Sequence, residues 1–102
     1  MGEESVDDKL QSKLDAVCDE DSFVAFVAAL SADRADEVQK EKAKPSSPYG
    51  SGANGWENGS IEAFLESATA WAEDWKKSPQ YRPPTNPWKR CAEILYAGKY
   101  YE

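Results

Sequence analysis

Tyr49-Gly50-Ser51-Gly52-Ala53-Asn54-Gly55-Trp56-Glu57-Asn58-Gly59-Ser60 divides this chain. Four of its six glycines fall within these residues, and neither a helix nor a regular strand runs through so permissive a backbone. A flexible linker gains nothing from a tryptophan it cannot bury. The stretch is therefore expected to fold back on its neighbours with Trp56 as its anchor, the alternative being an exposed Trp56 that anchors a partner. Gly50 to Gly55 also spells G-x-G-x-x-G. No buried strand feeds its first glycine and the next helix opens only at Ser60, so the phosphate-binding geometry of a dinucleotide fold is missing.

Downstream, Ser60 is a good N-cap, and Ile61, Phe64, Leu65, Ala68, Trp71, Ala72 and Trp75 form one helical stripe, expected to belong to the central helix. A proline-stiffened connector follows from Ser78 to Asn86. Asn86 as N-cap and Pro87 at the first helical position then open a last helix with Trp88, Cys91, Ala92 and Leu95 facing the core and Gly98 as its stop. Upstream, Lys44-Pro45-Ser46-Ser47-Pro48 ends a helix that starts near Asp21 or Ser22 and buries Phe23, Phe26, Val27 and Leu30. Before it, Val6, Leu10, Leu14 and Val17 mark a short amphipathic helix. The fold expected is all-α, a small bundle of three main helices plus a short N-terminal one, with the glycine-rich loop packed on it. Residues 1–102 read as one domain, residues 1–20 more loosely attached and 44–60 forming the proline- and glycine-rich loop.

The formal net charge is −7. Residues 1–48 hold 12 acids and 6 bases, and residues 49–102 hold 7 acids and 6 bases, so the acidity lies in the N-terminal half. That balance disfavours nucleic acid and anionic membrane surfaces and steers a basic partner towards the chain. No apolar run reaches the length of a membrane span, and Met-Gly-Glu-Glu-Ser has no signal-peptide character, so a cytoplasmic address is expected. Cys18 and Cys91, far apart in sequence, read as thiols.

With no histidine in the chain, the commonest general base and the histidine-containing metal motifs are excluded. Neither a cofactor nor a metal site is expected, and Asp19-Glu20-Asp21 reads as a capping cluster. The residues singled out for binding are Tyr49, Trp56, Glu57 and Asn58. They suit a non-catalytic, acidic protein-binding module, such as an inhibitor or immunity-type partner of a basic protein. A small-ligand site in the same loop, and a carboxylate-dependent hydrolase centred on Glu57 beside Trp56, are the alternatives.

Tyr49-Gly50, Gly55-Trp56-Glu57-Asn58, Phe64-Leu65-Glu66, Trp71-Ala72-Glu73-Asp74, Asn86-Pro87-Trp88 and Ala92 to Glu102 together resemble a family of small bacterial proteins known only as a domain of unknown function. The resemblance runs from about Ser22 to the C-terminus and implies a bacterial cytoplasmic origin without an activity. The first helix and the lysine-rich stretch before Pro45 look peculiar to this member.

Overall fold

A computed structural model describes residues 6–47, 52–82 and 85–101. Four helices follow one another: α1 (Val6–Asp15), α2 (Glu20–Ala43), α3 (Ile61–Lys76) and α4 (Pro87–Tyr100). The expected all-α architecture is what the chain adopts.

The helix starts obey local chemistry. Ser60 accepts from the Ala63 amide, and Asn86 accepts from the amides of Trp88 and Lys89, with Pro87 behind it. At α2 the cap is Asp19, not Asp21 or Ser22. Asp19 and Ser22 form a reciprocal capping box that satisfies two amides at once. The Ser22 interaction holds the Asp19 carboxyl below its ordinary value.

Which helix is central differs from the expectation. α4 packs against α1, α2 and α3, whereas among the described residues α3 packs on α4 and not on α2. The reason lies in side-chain size along α4. Ala92, Ala97 and Gly98 are buried there and let neighbouring helices approach. Gly98, expected as a stop, sits inside α4, and a Cβ there would meet both the ring and the backbone carbonyl of Phe64 at 2.9 Å, so the close approach of α3 requires glycine. Cys91, expected in the core, is exposed, and the inward stripe is instead Ala92, Leu95, Tyr96 and Lys99.

The core gathers Leu10, Leu14 and Val17 from the N-terminal segment, Phe26 and Leu30 from α2, Trp56 from the loop and Ala92 from α4. Val27, expected with Phe26 and Leu30, faces outward. At the far end Arg90 lies 4.9 Å from the Trp71 ring centroid and 5.8 Å from that of Tyr81, so a cation fastens the connector between α3 and α4. The Tyr101 hydroxyl donates to Asp74 and closes the same pair of helices. Among the described residues no helix is long and apolar enough to cross a membrane.

Gly98→Ala is expected to destabilise the protein by about 1–3 kcal/mol, since the overlap is with backbone as well as a ring. The gain in helix propensity from alanine is smaller than that. Urea denaturation with an unchanged m-value would measure it.

Candidate functional site

α2 carries its buried stripe past Leu30 as Asp33 and Glu37, both buried. Phe26, Leu30, Asp33 and Glu37 follow the three- and four-residue steps of one helix face, so the apolar stripe is continued by two carboxylates. Buried carboxylates demand donors, and the glycine-rich loop supplies them.

Glu37 Oε1 accepts the backbone amides of Asn54 (3.0 Å) and Trp56 (3.1 Å), and Oε2 accepts Arg34 Nη1 at 2.6 Å. The loop can wrap this closely because residue 52 is glycine: a Cβ there would lie inside contact distance of the Glu37 carboxylate. Gly55, at φ +88°, turns the chain back towards Trp56. Asn54 is filled on both sides of its amide. Its Nδ2 donates to the Asp33 carbonyl and to Asp36 Oδ2, each at 3.0 Å, and its Oδ1 accepts Lys40 Nζ at 2.9 Å. Lys40 and Asn54 together hold the Asp36 carboxyl below its ordinary range. Ser46, with a further contribution from the Ala53 amide, does the same for Glu41.

Asp33 makes the second anchor. Its Oδ2 accepts Trp56 Nε1 at 2.8 Å and pairs with Lys99 Nζ at 2.8 Å, both charged side chains being only 2% exposed. Among the described residues Asp33 Oδ1 has no hydrogen-bond partner. The Trp56 ring lies 5.8 Å from Lys99 Nζ, 5.6 Å from the Arg34 guanidinium and 5.9 Å from the Phe64 ring, on which it stacks. The loop is thus pinned to α2 by Asp33 and Glu37 and to α4 by Lys99.

Of the residues singled out from sequence, Trp56 takes the folded-back placement, 8% exposed. Asn58 Nδ2 donates to the carbonyls of Gly98 and Tyr101, satisfying the open C-terminal end of α4. Glu57 is exposed, and its backbone amide donates to the Lys99 carbonyl. Tyr49 lies outside the described residues. Sequence reading missed Asp33, Glu37, Asn54 and Lys99. The helical step from Leu30 to Asp33 and Glu37 was the signal available for two of them.

Trp56 stands as a wedge between α2 and α3. Above it runs a groove of about 370 Å³, floored by Trp56, Leu30, Phe64 and Leu95 and rimmed by Val27 and Ile61. Ile61 is 78% exposed on the rim, with Leu65 half-exposed one turn on and Val24 exposed one turn before Val27. Arg34 reaches the groove already engaged, with Nη1 on Glu37 and Nη2 on the Gly59 carbonyl. Among the described residues no group of three or more cysteines and carboxylates is placed to hold a metal ion. Both cysteines are exposed thiols.

Lys99→Met strands the buried Asp33 charge and is expected to cost about 3–5 kcal/mol. Asp33→Asn together with Lys99→Met should recover most of that in urea denaturation. Acid acts on the rim of the loop. The Asp36 and Glu41 carboxyls are held below their ordinary values of 3.8 and 4.5, so their stabilisation is full above those values and is lost as pH falls through the lower folded ones. The difference in melting temperature between wild type and Glu41→Gln should therefore be present at neutral pH and close below about pH 4.

Comparison with protein families finds a match over residues 19–102 to one described as a family of unknown function (DUF7660). The matched span takes in α2, α3, α4 and the loop, and leaves α1 outside. No curated protein matches, and no solved structure does.

Proposed function

Because the chain belongs to that family of unknown function, we propose its role from geometry alone: it is a non-catalytic module that binds a basic protein in the groove between α2 and α3. The observation that carries this reading is the gap itself. Two neighbouring helices are held apart by the wedge of Trp56, and the space between them is walled by aliphatic side chains, with Ile61 78% exposed. A contiguous apolar patch with polar surroundings is what a docking surface looks like.

Charge supplies the choice of partner. α3 bears Glu62, Glu66, Glu73 and Asp74 against Lys76 alone, and the Arg34 charge is already neutralised by Glu37. The buried carboxylates also favour binding over chemistry, because Asp33 and Glu37 are committed to holding the loop. In this reading Trp56 and Asn58 line the groove from below, and Glu57 lies outside it. An inhibitor or immunity-type role towards a basic protein is one form such a module takes.

The test is affinity capture from host lysate with wild type, Ile61→Asp and Trp75→Ala. Aspartate is favoured in the first turn of a helix, so Ile61→Asp should leave stability within about 0.5 kcal/mol of wild type. A basic protein held by wild type and Trp75→Ala, and lost with Ile61→Asp, is the expected result. Equal capture by all three, or none by any, rejects the groove.

A further inference from the structure

A second hollow, independent of the groove, opens where α1 packs on α2, and we propose that it binds a small anionic amphiphile, a carboxylate head on an apolar body. The cleft measures about 780 Å³, within the range of about 300–1,000 Å³ of small-molecule sites, which form between the helices of bundles among other places. Short side chains create it. Ala29 and Ala32 of α2 and Ala16 beyond α1 line it, and Leu10, 2% exposed, adds to its apolar wall. On α2 the groove uses Val27, Leu30 and Arg34, whereas the cleft uses Ala29, Ala32, Asp33 and Asp36, so the two hollows stand on different faces of that helix.

Lys9, Lys13, Asp33 and Asp36 are the charged residues lining the cleft, and their partners decide its sign. Asp36 Oδ2 pairs with Lys40 Nζ at 2.8 Å, and Asp33 Oδ2 pairs with Lys99 Nζ at 2.8 Å. Both carboxylates are thus compensated within the protein, and Asp33 Oδ1 is closed to solvent and gives the cleft no accessible acceptor. Lys9 and Lys13 are exposed, and among the described residues neither side chain has an ion-pair or hydrogen-bond partner. They stand four residues apart on α1, near enough for both ammonium groups to approach one carboxylate. The uncompensated charge of the cleft is therefore positive, although the chain as a whole carries −7. A head held by the lysines leaves the apolar body to displace water over Leu10 and the alanines. The family match begins at residue 19 and α1 supplies both lysines, so the site belongs to the N-terminal extension as much as to the matched span.

Titration of the isotope-labelled full-length protein with decanoate, acetate and decyltrimethylammonium, followed in amide spectra, tests this. Decanoate should saturate, with shifts centred on Lys9, Lys13, Ala16, Ala29 and Ala32. Acetate and the ammonium amphiphile should each bind at least roughly tenfold more weakly. Two variants separate head from body: Lys9→Gln with Lys13→Gln removes the head contacts, and Ala32→Leu fills the cleft without touching a charge. Each should weaken decanoate by roughly tenfold or more and keep the melting temperature of wild type, all three positions being exposed.

Equal binding of acetate overturns the apolar body, and equal binding of the ammonium amphiphile overturns the choice of an anion. Unchanged affinity in either variant, shifts elsewhere, or no saturation overturns the site. A lipid surface presents the same chemistry as a free amphiphile, so phosphatidylglycerol vesicles form the last arm. No co-sedimentation is expected, and co-sedimentation that is lost with the lysine variant overturns the free ligand. None of these outcomes bears on the groove, which Ile61→Asp tests separately.

Discussion

Two carboxylates on the inward face of α2 set the shape of everything that follows them. Asp33 and Glu37 leave water when α2 packs, and buried acids remain tolerable only with donors arranged around them. Glu37 is met by two loop amides and Arg34; Asp33 is met by the Trp56 indole and Lys99. The loop is irregular in backbone yet ordered in position, because its amides serve as ligands for a side chain in place of the ladder of a helix or sheet. An arrangement of this kind adds little net stability over an apolar core, but removing one member leaves the others buried and unpaired.

That constraint passes through Trp56 to the rest of the molecule. Tied to Asp33 on one side and stacked on Phe64 on the other, the indole keeps α2 and α3 apart while both reach α4. α4 becomes the axis of the fold because it carries small residues where helices approach and a lysine where the loop needs a charge. The groove is the outward consequence of an inward requirement. A wedge large enough to reach Asp33 from the loop leaves aliphatic surface uncovered beside it, with Arg34 as the charged side chain of its lining.

Much of the helical framework was legible in the residues. Ser60, Asn86 and Pro87 announce their helices through local hydrogen-bonding geometry, and the stripes of α1 and α2 place Leu10, Leu14, Phe26 and Leu30 inside. The loop was legible as a folded-back element anchored by Trp56, since glycines next to a tryptophan satisfy neither a linker nor a regular element. Asp33, Glu37 and Lys99 were not, because charged residues on a helix are ordinarily solvated and nothing local says that partners from the loop arrive from 17 or more residues away.

What the sequence by itself determined are the properties that depend on neighbours within a few positions: where helices start, which faces are apolar, and where the chain must turn. Gly98 shows the limit, since it reads locally as a helix stop and is in fact the contact point for Phe64. The choice of α4 as the axis, the burial of the Asp33–Lys99 pair and the separation of α2 from α3 were decided only in the tertiary structure. Each is a matter of which distant groups meet, and periodicity reports the face a residue occupies without naming what will stand opposite it.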